Sequence, residues 1–213
     1  MNILVGSEKG GTGKTTLTCS LAAFLAGRGA DVCILDADPQ GSANAWADRR
    51  AEQQPEKSVV HCVQKSGNVM RAFADLAERY EHVLVDAGGR DSAELRSAML
   101  VASLVLIPCR PSQMDLESTL HIDELVQGAS AGRADGGPEA MVILSQCPTH
   151  HLNAETGQAK AYLSQFTQLG MCNSIISERK AFRDAMTMGL GVTEMGASAA
   201  DLELRKLAKE ISL

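Results

Sequence analysis

Two short runs in this sequence, Val83-Leu84-Val85 and Leu104-Val105-Leu106-Ile107, are apolar without interruption. A strand with one wet face alternates apolar and polar residues, whereas a strand covered on both faces reads as a continuous apolar run. The two runs therefore predict central strands of a sheet with helices on each side. The full set of β-type runs falls at 2–5, 31–35, 58–63, 82–85, 104–107, 141–144 and 174–176, and helix-length patterns occupy 15–27, 69–78, 93–101, 116–126 and 154–169. Such β-α repetition gives a doubly wound, mostly parallel α/β sheet flanked by helices. The stretch 128–138, rich in Gly, Ala and charge, reads as a surface loop.

Length and composition narrow the function classes. At 213 residues and 45% hydrophobic content, the chain suits one domain spanning 1–213. Aromatics are only 3%, so the core must be built from Leu, Ile, Val, Ala and Met, and stacking platforms for single strands are not expected. A formal charge of −6 argues against a surface that coats nucleic acid as a whole, while leaving room for a local basic patch. Cys19, Cys33, Cys62, Cys109, Cys147 and Cys172 are scattered with no C-x-x-C pair and read as reduced core thiols. With no signal-like leader and no stretch long enough to span a membrane, the expected compartment is a reducing cytosol.

The chemistry is concentrated at the first turn. An apolar strand at 2–5 runs into a glycine-rich turn at 8–13, and a helical pattern begins at Lys14. Gly10, Gly11 and Gly13 let the backbone around Thr12 curl so that N–H groups point at phosphate oxygens, and the helix N-terminus at Lys14, Thr15 and Thr16 adds partial positive charge. Lys14 would reach the β- and γ-phosphates and Thr15 would hold Mg2+. The pattern departs from the ordinary G-x-x-x-x-G-K-[ST] loop, because Glu8 occupies the place of the first glycine and Lys9 follows it.

Carboxylates close two of the strands. Asp36 and Asp38 follow the run Val32-Cys33-Ile34-Leu35, and Asp86 closes His82-Val83-Leu84-Val85. All three fall at the C-terminal edge of the sheet, where open α/β folds bind ligands. Phosphoryl transfer depends on positioning and electrostatics, so carboxylates here suit a metal's water shell and the orientation of an attacking water. Asp-Pro at 38–39 also suits a turn that caps a following helix. Ala87-Gly88-Gly89 supplies a loop able to change conformation when a phosphate is lost.

The run Lys9-Gly10-Gly11-Thr12-Gly13-Lys14-Thr15-Thr16 resembles the deviant Walker A box of the ParA/MinD family of P-loop ATPases, and Asp36-Ala37-Asp38-Pro39-Gln40 resembles that family's D-x-D-P-Q box. The resemblance implies ATP with Mg2+ as cofactors and Lys9 acting across an ATP-sandwich homodimer. It assigns Asp36 to the metal's water shell, Asp38 to the hydrolytic water and Asp86 to Mg2+ through water. Pro108-Cys109-Arg110-Pro111-Ser112-Gln113-Met114-Asp115 resembles a proline-rich loop near the family's nucleotide and dimer interface. The segment 176–194 is similar to the C-terminal part of short ParA partition proteins. That likeness implies non-specific DNA binding in the ATP state, with Arg179, Lys180 and Arg183 as candidates. It also implies a ParB-type centromere-binding partner that stimulates slow hydrolysis, and nucleoid association in the ATP state.

Other readings remain beside it. Three basic residues next to Glu178 and Asp184 also suit a solvated helix face. A MinD-like membrane switch needs a basic amphipathic C-terminal helix, whereas acids offset bases at 201–211, so no membrane partner is expected. Related ATPases position protein machines instead of DNA. No helix-turn-helix precedes the first strand, so operator-specific repression is not expected. Iron–sulfur relatives need clustered cysteines, and the N-K-x-D guanine signal is replaced here by Ser145-Gln146-Cys147-Pro148, which favours ATP.

Overall fold

The structure is a computed structural model that describes residues 1–89, 91–149, 154–164 and 169–213. Among these residues seven strands, β1 (Asn2–Val5), β2 (Val32–Asp36), β3 (His61–Gln64), β4 (His82–Asp86), β5 (Leu104–Cys109), β6 (Glu139–Cys147) and β7 (Gly170–Ser177), form one sheet. Their order is β3-β2-β4-β1-β5-β6-β7, and every pairing is parallel. The strands therefore end together along one edge. The helices are α1 (Lys14–Ala26), α2 (Ser42–Gln53), α3 (Met70–Ala77), α4 (Ala93–Met99), α5 (Gln113–Ala131), α6 (Ala154–Leu163), α7 (Lys180–Thr187) and α8 (Ala199–Glu210), with a 3-10 turn at Val192–Glu194.

The uninterrupted apolar runs are explained by two cores. Ile3, Val5, Ile34, Leu84, Leu104 and Leu106 point to the layer of α1, α2, α7 and α8. Their neighbours Leu4, Leu35, Val83, Val85, Val105 and Ile107 point to the layer of α3, α4, α5 and α6. Side chains alternate between the two faces of a strand, so residues next to each other in sequence serve different cores, and both must be apolar.

The structure moves several boundaries. Pairing with β5 starts β6 at Glu139 and pairing with β7 carries it to Cys147, well beyond 141–144, and β7 begins at Gly170 instead of 174. A neighbouring ladder extends a strand into residues that local preference would leave out. The loop at 128–138 shortens to 132–138 because α5 continues to Ala131. The pattern at 154–169 forms α6 only to Leu163, and its residues 165–168 lie outside the described residues. The outer edge of β7 is closed by α8: Glu210 accepts the N–H groups of Asn173 and Ser174, and Glu203 accepts that of Ser177. An edge strand so covered has fewer donors free to pair with another chain.

Helix α2 is not among the helix-length patterns of the sequence, which offers only a turn at 38–39 that could cap a following helix, and a buried charge helps to hide it. Its buried positions, Ala43, Trp46, Ala47 and Arg50, keep helical spacing, but the last of them is charged. The Arg50 guanidinium donates to the carbonyls of Ser58 and Gly189, each at 3.1 Å, and makes a bidentate pair with Glu194 at 2.8 Å. Trp46 Nε1 donates to the Leu190 carbonyl at 3.2 Å. Burial alone would push Glu194 up, yet Arg50 and the Gly191 N–H hold its carboxyl below the ordinary range. Removing one member of such a buried pair strands the other charge, so Arg50→Ala should cost about 3–5 kcal/mol. Breaking the exposed Lys180–Asp184 pair should cost under about 1 kcal/mol. Urea unfolding of the two variants is expected to show that contrast.

Candidate nucleotide site

Residues 6–13 link β1 to α1 and form the phosphate loop. Gly11 and Gly13 lie at φ 72° and 89°, in the left-handed region where a Cβ is strained, and Gly13 is the N-cap of α1. The first turn of α1 has no acidic residue and its cap has no side-chain acceptor, so its amides suit an external anion. Inside the loop, Lys14 Nζ donates to the Lys9 carbonyl at 2.8 Å and to Ser7 Oγ at 3.3 Å, and Ser7 Oγ bonds Thr12 Oγ1 at 2.8 Å. Burial lowers the Lys14 pKa, with Asp86 and Asp38 opposing it.

The carboxylates meet at the ends of β2 and β4. Asp36 and Asp86 are register partners on adjacent strands, exposed by only 0% and 1%. Asp36 accepts the N–H groups of Asp38 at 3.1 Å and of Asn44, in the first turn of α2, at 2.8 Å. The unexpected α2 thus has a site role: its N-terminus holds Asp36. Asp38 in turn accepts the Gln40 N–H at 2.9 Å, a local turn that does not cap the helix, since the N-cap of α2 is Gly41 with no side-chain cap. Thr15 Oγ1 donates to Asp86 Oδ2 at 2.7 Å, while Asp86 Oδ1 is buried with no partner. A buried carboxylate oxygen left over beside a threonine hydroxyl and a phosphate loop fits a Mg2+ ion. Among the described residues no cluster of three or more His, Cys, Asp or Glu could hold a metal by itself, so the ion would draw further ligands from phosphate and water.

Lys9 and Asp38 lie on the other side of the loop, in an open groove with Gln40, Gly88 and Gly89. A Cβ on Gly89 would come within 2.9 Å of the Gly10 nitrogen, so the loop after β4 rests directly on the phosphate loop and only glycine fits there. Two residues on, Asp91 pairs with Arg96 and with His121 Nε2 of α5, the latter at 3.2 Å. The loop is therefore tied both to the phosphate site and to α5.

Sequence reasoning left the base-binding residues unassigned. A second pocket, on the α1 side, is lined by Thr12 and Gly13 of the loop, Thr16 of α1, Gln146 near the end of β6, Ile176 near the end of β7 and Phe182 of α7. Its walls come from segments far apart in sequence, each with an ordinary local role, and the one available signal was their shared position at the C-terminal sheet edge. Arg179 also lines it, and its guanidinium is bound to Glu203 at 2.7 Å. Lys180 and Arg183 are exposed on α7, paired with Asp184 at 3.0 Å and Glu178 at 3.3 Å.

Residues 3–211 match the CbiA family, the CobQ/CobB/MinD/ParA nucleotide binding domain. The chain belongs to this family. Its relatives include the "Maintenance of carboxysome distribution protein A" of Halothiobacillus neapolitanus, 28% identical over 98% of this chain and 95% of that protein. The chromosome-partitioning ATPase Soj of Thermus thermophilus is 30% identical over 61% of this chain and 63% of its own length. The fold superposes on an ATP complex of a Cyanothece McdA variant with a TM-score of 0.79 at 16% identity, covering 100% of this chain and 96% of the other. The protein is thus a ParA/MinD-family nucleotide-binding ATPase, and the seven-stranded parallel sheet is that of the family.

The acid–base consequence of the site is testable in the nucleotide-free ATPase. Burial pushes Asp86 from 3.8 up to about 7; Thr15 and Lys14 oppose this, while Asp36 and Asp38 add to it. A folded-state value above the ordinary one means that stability is complete below about pH 4 and is lost as pH rises through about 7. Asp86→Asn removes that loss. At roughly 1.4 kcal/mol for each tenfold change in proton affinity, the variant should be more stable than the parent by about 2–4 kcal/mol at pH 8, with the gain vanishing near pH 4. Denaturant titrations across that range are the check.

Proposed function

We propose that the chain acts as a single P-loop domain that dimerises around ATP and positions a cargo, with Mg2+-dependent hydrolysis resetting it. The observation that carries this reading is the open groove shared by Lys9 and Asp38. Lys14 is spent inside its own loop, whereas the Lys9 ammonium has no hydrogen bond or ion pair among the described residues and lines an outward-facing groove. A second cation so placed suits the nucleotide of a facing copy, where it would stabilise charge on the transferring phosphoryl group.

The contacts support a division of labour. Lys14 and the amides of 10–16 hold the phosphates. Thr15, Asp36 and Asp86 fit Mg2+, which when bound would neutralise charge on the phosphate oxygens. Asp38 faces Gly88 across the groove and is free on one side to orient an attacking water. The loop after β4, resting on Gly10, is where loss of a phosphate would first be felt.

For the cargo, three of the relatives matched over nearly the whole chain carry the carboxysome-distribution name, which supports positioning of a protein body over segregation of DNA, and a fourth is a VirC1 protein. DNA partition with a ParB-type partner is the second reading, supported by the Soj and ParA matches over part of the chain. In either reading we take non-specific DNA as the track. Arg179 is engaged by Glu203, so Lys180 and Arg183, with side chains 80% and 66% exposed, are better placed for phosphate contact. A membrane track is disfavoured because α8 packs Leu204, Leu207 and Ala208 into the core.

With ATP, light scattering should give twice the monomer mass for the parent and for Asp38→Ala, and the monomer mass for Lys9→Ala, while turnover disappears in Asp38→Ala. An Asp38→Ala protein with parental turnover would sink the assignment. For DNA, the joint Lys180→Ala and Arg183→Ala change should reduce the log–log salt slope of binding by about 0.9 for each phosphate no longer neutralised. An unchanged slope assigns the track to another surface.

A further inference from the structure

A peptide group points its N–H and its C=O in opposite directions, because it is planar and trans. A loop that turns its N–H groups inward to phosphate must therefore turn carbonyls outward, and each outward carbonyl needs a donor of its own. Here those donors come from the loop after β5 and from the last residues of β6. Ser145 Oγ donates to the Thr12 carbonyl at 2.8 Å, which fixes the peptide carrying the Gly13 N–H. Gln146 Nε2 donates to the Gly11 carbonyl at 2.8 Å, and the Arg110 guanidinium donates to the same oxygen. Arg110 Nε also donates to Gln146 Oε1 at 2.8 Å, closing a triangle around the peptide that carries the Thr12 N–H.

The triangle is held at a conformational cost. Gln146 sits at φ 51°, in the left-handed region that residues with a Cβ seldom occupy. Such a conformation persists only where the surroundings over-determine it, and here the side chain is bonded at both ends of its amide. Arg110 belongs to the segment that leads into α5, whose N-cap is Ser112.

We propose that Arg110 and Gln146 are positioning residues for the nucleotide: they lock the Gly11–Thr12 peptide with its N–H turned to the phosphates. The pair also makes occupancy of the loop responsive to the segment that starts α5. This rests on residues 6–13 and the start of α1 being the phosphate site, and the test separates the two claims.

The experiment measures affinity for a fluorescent ADP and a non-hydrolysable ATP in the parent, Lys14→Ala, Arg110→Met, Arg110→Lys, Gln146→Leu and the Arg110→Met/Gln146→Leu double variant. Thermal melts of each nucleotide-free protein accompany the titrations. Loss of a charge-assisted bond to the loop should weaken both nucleotides alike by roughly 10- to 100-fold in either single variant. The double variant should be no worse than the weaker single, because the two side chains act as one unit. Lysine should not rescue, since its point charge does not serve Gln146 and Gly11 with the fixed fork of a guanidinium. KM for ATP should rise much more than kcat falls. Unchanged affinity, losses that add in the double variant, or losses that track a lowered melting temperature would each overturn the proposal. A loss confined to the ATP analogue would overturn it too, by making Arg110 a direct contact of the terminal phosphate. If Lys14→Ala binds as the parent does, the phosphate-loop reading itself fails, whatever the Arg110 variants show.

Discussion

Two carboxylates buried side by side are the constraint around which the rest of this structure is arranged. Asp36 and Asp86 end neighbouring parallel strands in register, out of water, and burial pushes both pKa values up. Like charges in such a place are tolerated only where donors and cations are supplied. Asp36 draws on backbone amides of the turn at 38 and of the first turn of α2, and Asp86 on the Thr15 hydroxyl and the nearby Lys14. One oxygen of Asp86 is left over. A divalent cation arriving with a nucleotide satisfies what the chain does not, and in this way binding energy is built into the folded state before any ligand is present.

The all-parallel sheet makes that arrangement possible, because every strand ends at the same edge. It also divides the molecule by function. The layer of α1, α2, α7 and α8 borders the pocket beside Thr16 and Phe182, while the layer of α3 to α6 meets the loop after β4 through Asp91 and His121. Between the layers, Gly89 lies on Gly10 and Arg110 reaches Gly11. The phosphate loop is thus contacted from outside by the two segments that lead into α4 and α5. A change in what the loop holds has a short mechanical route to the surface.

The sheet and the phosphate loop were legible because each leaves a local mark. Continuous apolar runs at 83–85 and 104–107 reflect strands that serve two cores, and Gly11 and Gly13 stand where the backbone requires left-handed φ. What was not legible depends on distant partners. Helix α2 hides in part because Arg50 fills a core position that Glu194, far along the chain, neutralises. Strands β6 and β7 extend beyond their apolar centres because neighbouring ladders carry them. The pocket beside Phe182 is assembled from several strand ends, so no single stretch announces it, and Arg179, read as a DNA candidate, proves to line that pocket in the grip of Glu203. The placing of Lys9 and Asp38 in separate roles came from family likeness, and the groove they share gives it a physical setting.

The central claim is that the buried Asp86 carboxylate draws stability from a cation delivered with the nucleotide. Thermal melting of the parent and of Asp86→Asn, each with saturating ATP in EDTA and again with Mg2+, tests it most directly. The parent should gain several degrees more with Mg2+ than with ATP alone, since a ligand that binds only the folded state raises its stability. Asp86→Asn should lose that additional gain while keeping the part due to ATP. An equal rise with and without Mg2+ in the parent, or an undiminished Mg2+ gain in Asp86→Asn, would contradict it.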